Sequence, residues 1–447
     1  MPDADAETRA KRRDRALLHG ALSTAMVRII TAAASFITLG IAARSLTRDE
    51  FGLVAVMSSI LLIATMLDFG LGGALTTRVA TSHGRDDLHG LREHVDNALV
   101  ALTGVGAMIA LGGTLSVLTM PWHDWIGGTL SSSTVTRCLI ITFVISGAML
   151  PTAVGIVTLS AMQRFAAAQM SIAVGSVAAV IATAIVAPLN PPPEAFLLTI
   201  LGSPLVASLG FTLWARLGML RGIGRFGVER EQMADMLRVS GWYALYTVAN
   251  TVTVGTGTII VGSAVGLAAA GVFNVAVRLF SPVLTIVTAS GAQLRPGITE
   301  ALARNDVAWA RSRHHRGLLV VAAASAAMSL GLVVFGRWFA RIWVGDALVP
   351  SWSLLIWTAA FTVVLALAAQ YAVLVQAVER IRPAAVLAVS TAVAGTVASV
   401  VLAQRMGMNG AMIGATVALV LIFVPGIVRM AGGILRSLET VPAVNGR

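Results

Sequence analysis

Three charged side chains stand inside stretches that are otherwise free of charge: Arg28, Asp68 and Arg278. Asp68 lies within "MLDFGLGGALTTR", in an apolar run that begins at Phe51 and meets no other charge before Arg78. An arginine fixed in such a place offers a planar guanidinium that grips phosphate oxygens two at a time. A carboxylate there can neutralise an arginine or take a cation. Around these residues, hydroxyls and amides recur at steps of three and four, the spacing of one helical face. Thr24, Arg28, Thr31, Ser35 and Thr38 form one stripe, Tyr243, Thr247 and Asn250 a second, and Asn274, Arg278, Ser281, Thr285 and Thr288 a third. The stripes predict helix faces turned toward a wet cleft. Where Ser and Thr bond back to their own helix, the same stripes would pack helix on helix.

The elements that carry these residues must be membrane helices. With 57% hydrophobic residues, 12% charged residues and a mean hydropathy of +0.84, the chain cannot be arranged around one soluble core. The basic start "KRRDR" runs into an apolar stretch of about thirty residues, longer than a signal-peptide core, so the first span is expected to be retained. A window of about twenty residues finds twelve spans. They cover 17–43, 51–77, 95–119, 135–160, 170–189, 195–219, 240–266, 268–294, 317–335, 352–376, 384–403 and 410–434. The net charge of +11 would suggest nucleic acid in a soluble protein, but here the basic residues cluster between spans. With the N-terminus inside, 24 of the 32 Lys and Arg residues fall on the cytoplasmic side and six on the outer side. That asymmetry predicts that both termini are cytoplasmic. Cys138 is alone, which excludes an internal disulfide and a cysteine-based metal site.

The halves of the chain repeat. An offset of 219 residues places "EFGLVAV" at 50–56 over "AAGVFNV" at 269–275, and "GRDDL" at 84–88 over "ARNDV" at 303–307. Because six spans is an even number, both halves enter the membrane from the same side, so the repeat is parallel, and a cleft between two bundles is the natural substrate route. The organisation expected is a basic N-terminus at 1–16, a six-helix bundle at 17–219, a cytoplasmic linker at 220–239, a second six-helix bundle at 240–435 and a cytoplasmic tail at 436–447. Small residues in "GVGAMIALGG" and "GTGTIIVG" are assigned to close helix packing.

The segments "ARSLTRDEFGLVAV", "LDFGLGGALTTRVA", "AAGVFNVAVRLFSP" and the "LRP" after them resemble polysaccharide flippases of the multidrug/oligosaccharidyl-lipid/polysaccharide exporter superfamily. The resemblance follows the whole chain in span count and is most specific over 17–92 and 236–306. It implies an all-α membrane protein with two six-helix bundles in a V, working by alternating access. It also implies passage of a polyprenyl-diphosphate-linked oligosaccharide from the inner to the outer leaflet. A diphosphate crossing hydrocarbon needs fixed cations, which the arginines supply. Multidrug exporters of similar fold use buried carboxylates, whereas Asp68 is the one acid well inside a span here, with Asp96 and Glu194 at span ends. Lipid II flippases also look similar but usually carry extra spans.

Two depths give the charges distinct roles. Arg28 and Asp68 both fall roughly 15 Å from the inner boundary at 1.5 Å per residue, which predicts an ion pair between neighbouring helices, unless Arg28 snorkels to the inner surface. Arg278 falls near mid-membrane with no acid evident at its depth, so it is the residue expected to meet substrate, with Asn274 and Ser281 beside it. Trp242, Tyr243 and Tyr246 lie near the inner mouth, where sugar rings could stack or an interfacial belt could form. An enzyme has little to stand on. "GIGRFG" at 222–227 has no strand before it, and a membrane glycosyltransferase or ligase would need longer outer loops. His314 and His315 in "RSRHHRG" read as part of a basic inner loop near anionic lipid rather than as metal ligands. No cofactor is expected. The expected partners are the lipid-linked oligosaccharide, anionic membrane lipids, and polysaccharide polymerase and glycosyltransferases.

Overall fold

The computed structural model describes residues 26–66, 75–82, 87–126, 129–214, 230–303, 306–378 and 381–439, apart from Arg28, Thr76, Thr77, Ala80, Thr81 and Gln163. Among the described residues the regular structure is helical throughout. Hydrocarbon offers no hydrogen bonds to a backbone, and a helix satisfies its own. The helices are α1 (Ile29–Ser45), α2 (Arg48–Thr65), α3 (Leu88–Thr119), α4 (Ser132–Ala161), α5 (Phe165–Val186) and α6 (Pro193–Trp214). They continue with α7 (Arg230–Ala264), α8 (Leu267–Ala303), α9 (Val307–Val344), α10 (Trp352–Ala377), α11 (Ile381–Met406) and α12 (Met408–Ile434). Ten helices among the described residues are long and apolar enough to cross a membrane. One helix stands for each of the twelve expected spans.

The helices differ from the spans at their ends. The helices α7, α8 and α9 run 35, 37 and 38 residues, well beyond the hydrocarbon thickness. A hydropathy window sees only the apolar middle of such a helix. Arg337 and Arg341, expected on an outer loop, therefore ride on the last turns of α9, where Arg341 pairs with Asp346 at 2.6 Å. Likewise the second half of the expected linker, from Arg230, is already helix. In the other direction α2 stops at Thr65, and the Met66 N–H tightens the last turn by bonding to the Ile63 carbonyl at 3.1 Å.

The contacts sort the chain into two compact units. The first comprises Met1–Ser45, Leu67–Met120 and Thr136–Gly241, and the second Leu46–Met66, Pro121–Val135 and Trp242–Arg447. In the first unit a core of Leu91, Val95, Leu102, Leu150 and Val154 joins α3 to α4, and Gly106 and Gly147 bring their backbones into contact. Pro151 interrupts the hydrogen-bond ladder of α4, and the Thr152 carbonyl beside it accepts bonds from Ser208 and Thr212 of α6. In the second unit α8 packs against α2, α9 and α10, while α11 packs along α12.

The repeat is visible in chemistry as well as in span order. Asp87 caps α3 by accepting the Gly90 N–H at 2.9 Å, and Asp306, 219 residues on, caps α9 by accepting the Trp309 N–H at 3.0 Å. Gly52 and Gly271 are another such pair, and they sit at the α2–α8 seam. There Asp49 accepts the N–H of Ala268, its own counterpart at the same offset, at 3.0 Å. The last helix of each half also contains a π-turn, Leu198–Gly202 in α6 and Leu419–Phe423 in α12.

Candidate functional site

The most exacting requirement falls on α8, which must seat a mid-span arginine without exposing it to lipid. Phe273, Val275, Ala276, Leu279, Phe280 and Val283 are buried on this helix and pin it within the second unit. Arg278 lies eleven residues from the start of α8, about 17 Å along the axis. It is partly exposed, and among the described residues its guanidinium makes no hydrogen bond and no ion pair. Asn274, one turn earlier, is buried. Ser281 donates its hydroxyl proton to the Arg278 carbonyl at 2.8 Å, and Thr285 donates to the Ser281 carbonyl at 3.0 Å. The two hydroxyls on this stripe therefore have lone pairs to offer, while their protons are engaged on the helix itself. The Thr288 side chain lies outside the described residues.

On α7 the stripe divides. Tyr243 and Thr247 are exposed, whereas Asn250 is half-buried and donates to the Tyr246 carbonyl at 2.7 Å. The Tyr246 side chain hydrogen-bonds to the side chains of Asn250 and Gln376, which ties α7 to α10. Gln376 was not among the expected site residues. Its signal was present, however, as an amide inside the apolar run "AAQYAVLVQA". Trp242 carries the guanidinium of Arg382 at 5.8 Å from its ring centroid, so it reads as part of an arginine-rich membrane interface.

On α1, in the first unit, Thr31 is half-buried, Thr38 is 5% exposed, and the hydroxyls of both lack a hydrogen-bond partner. Ser35 is exposed. Thr24, Arg28 and Asp68 lie outside the described residues, and the expected Arg28–Asp68 pair with them. The acids described near span ends are paired with arginines: Glu194 lies 2.9 Å from Arg137, and Asp96 lies 3.7 Å from Arg92.

A small pocket also opens within the second unit, between α7, α8, α10, α11 and α12. Its walls include Phe273, Phe280 and Phe361 and no charged residue. Of its hydroxyls, Thr253, Thr256, Thr358, Thr362 and Ser399 all donate to backbone carbonyls. It therefore lacks the fixed cation that a diphosphate requires.

A family model described as polysaccharide biosynthesis protein matches residues 17–300. Among solved structures, an inward-facing multidrug resistance MATE family transporter of the MOP superfamily is similar with a TM-score of 0.80 and 15% identity, over 92% of this chain and 96% of that one. An outward-facing structure with the same family description matches with a TM-score of 0.66 and 15% identity, over 94% and 96%. A MOP superfamily transporter from Pyrococcus furiosus, whose title reports a binding pocket of reverse polarity suggesting a different function, matches with a TM-score of 0.62 and 14% identity, over 92% and 96%. Comparison with curated proteins finds no match.

Proposed function

The chain belongs to the polysaccharide biosynthesis protein family and has the all-α fold of MOP superfamily membrane transporters, and on that premise we propose that it flips a polyprenyl-diphosphate-linked oligosaccharide from the inner to the outer leaflet. The bacterial cytoplasmic membrane is its setting, and exopolysaccharide, capsule or O-antigen the product. The observation that carries this reading is Arg278, an arginine deep in a membrane helix that is bonded to no acid among the described residues. Placing a guanidinium there costs ~2.5 to 3.5 kcal/mol even on lenient insertion scales, so a ligand must give something back. A diphosphate suits it in charge and in geometry, since two oxygens can meet the fork of one guanidinium. A cationic drug would be repelled.

The protein moves its substrate and makes or breaks no covalent bond. Arg311, Arg313 and Arg316 are exposed at the start of α9, where anionic headgroups would meet them, and the flipped product would pass to a polymerase fed by glycosyltransferases. The test is replacement of Arg278. Arg278→Ala abolishes glycan export and leaves lipid-linked oligosaccharide on the cytoplasmic leaflet, with protein abundance near normal. Arg278→Lys restores part, because a point charge replaces a planar fork. An alanine variant present at normal levels and exporting at the parental rate would refute the reading.

A further inference from the structure

Two side chains of the second unit are sealed from solvent and make no hydrogen bond. His314 of α9 is 6% exposed and Gln370 of α10 is 1% exposed. Both ring nitrogens of His314 and both amide atoms of Gln370 are without a hydrogen-bond partner. They share the α9–α10 seam. The His314 ring stands edge-on to Tyr371 at 5.3 Å between centroids. Gly317, one turn beyond His314, has no side chain, and the Gln370 amide nitrogen occupies that side, 2.7 Å from where a Cβ would stand. His314 lies seven positions from the start of α9 and Gln370 seven from the end of α10, about 10 Å along each axis, and the contacts of Gly317 with Gln370 and of His314 with Tyr371 bring the two to the same stretch of the seam. Four buried polar atoms in one place are rare in native interiors unless a water or an ion satisfies them.

The surroundings define what such a site can hold. Leu294 and Ile298 of α8, Val373 and Leu374 of α10 and Ala431 of α12 form the apolar cluster around this end of the seam. Tyr371 is the titratable group facing His314 from another element among the described side chains. On α9 itself, His315, Arg311, Arg313 and Arg316 are exposed and basic. None of these groups is a carboxylate, so a metal cation or an ammonium ligand would find no counter-charge. A single proton needs only a lone pair and a water.

We propose that His314 and Gln370 form a buried proton-binding site reached through water. The neutral imidazole takes a proton from hydronium on its free nitrogen and releases water. The new N–H donates to the Gln370 carbonyl oxygen, and the Gln370 amide nitrogen donates to the water that remains. Release reverses these steps. With no carboxylate among the described side chains to neutralise it, the imidazolium disfavours the closed seam and favours a state in which water reaches it, so the proton is tied to movement of α9 against α10. This coupling rests on the transporter reading above, while proton binding itself does not.

The two parts separate by experiment. Magnetic resonance of the full chain carrying isotope-labelled histidine should show one solvent-protected ring that titrates and whose signal is missing in His314→Gln. In Gln370→Leu its proton affinity should fall about tenfold, the loss of one charge-assisted hydrogen bond. A His314 ring that stays neutral down to about pH 5, or that titrates identically without Gln370, overturns the site. Should His314→Gln fail to fold, the parental and Gln370→Leu titrations still decide. For coupling, flipping of lipid-linked oligosaccharide in proteoliposomes should vary between about pH 5 and 8, and His314→Gln should flatten that dependence while His315→Gln retains it. An unchanged profile in His314→Gln overturns the coupling without touching the role of Arg278.

Discussion

Replacing Gly52 with alanine tests the α2–α8 seam most sharply. A Cβ on Gly52 would collide with the carbonyl oxygen and carbon of Leu267, which are backbone atoms and cannot rotate away. Carbon atoms need about 3.5 Å between centres, so the helices would have to part by more than about 1 Å. The seam cannot yield locally. Gly271 holds Phe51 at 2.9 Å from its own virtual Cβ, and Gly262 and Gly255 of α7 hold Val56 and Ile63 of α2 at 2.9 and 3.2 Å. Overpacking of this kind costs ~1 to 3 kcal/mol, and alanine returns ~0.5 to 1 kcal/mol of helix propensity. The expected net loss lies within ~0 to 2.5 kcal/mol, and collision with backbone rather than side-chain atoms puts Gly52→Ala in the upper half of that range. Gly271→Ala should cost less, since the Phe51 ring can tilt. Thermal unfolding in detergent, with membrane abundance as a second readout, measures both. If Gly52→Ala melts with the parent, or if Gly271→Ala proves the worse of the two, the contact is not as tight as described.

Three further outcomes are expected. His123, between α3 and α4, has its pKa raised, first by its bond to the Leu130 carbonyl and then by Asp124; its contribution to loop order is therefore present below the ordinary histidine value and lost as pH rises through the raised one. Fluorescence of Trp122 and Trp125 should report that loss, and His123→Gln should remove the pH dependence. Single cysteines at Ser131 and Gly345 should react with an impermeant reagent from outside, and ones at Gly84, Gly227 and Asn305 should not; reversed labelling would invert the proposed topology. Asp68→Asn should lower protein level or flipping by leaving Arg28 unneutralised, a cost of ~3 to 5 kcal/mol, and exchanging the two charges should recover more than either single change; additive effects would dismiss the pair.

Spans and repeat were legible because both depend on local sequence. Hydropathy marks the apolar middle of each helix, and an N-cap needs only one carboxylate before the first turn, so the alignment of Asp87 with Asp306 already contained the start of α3 and α9. The glycines of "GTGTIIVG" were rightly assigned to packing, with Gly255 on Ile63, Gly257 on Phe273 and Gly262 on Val56. In "GVGAMIALGG" the reading holds for Gly106 and Gly113 and not for Gly104 and Gly112, which face open space. Spacing shows that glycines share a face but not whether another helix lies across it. The α2–α8 seam escaped for the same reason, as Gly52 is ordinary until Leu267, more than two hundred residues away, is brought against it. His314 was read as part of a basic inner loop near anionic lipid because its neighbours are arginines. Helix α9 begins earlier than hydropathy suggests and turns that one ring inward.

The hydroxyl stripes show most plainly where pattern and chemistry part. A four-three repeat of Ser and Thr has the same appearance whether its protons point into a cleft or back along the helix. On α8 they point back, since Ser281 and Thr285 both donate to carbonyls one turn earlier. The stripe retains acceptor lone pairs, and a phosphate has no proton to give them at neutral pH. Recognition of an anion on this face therefore falls to the guanidinium of Arg278 rather than to these hydroxyls. That division of labour predicts that Ser281→Ala leaves flipping close to the parental rate while Arg278→Ala removes it. Were the serine substitution as damaging as the arginine one, with both proteins abundant, the phosphate would have to be held by the hydroxyls, and the positive charge would serve packing rather than substrate.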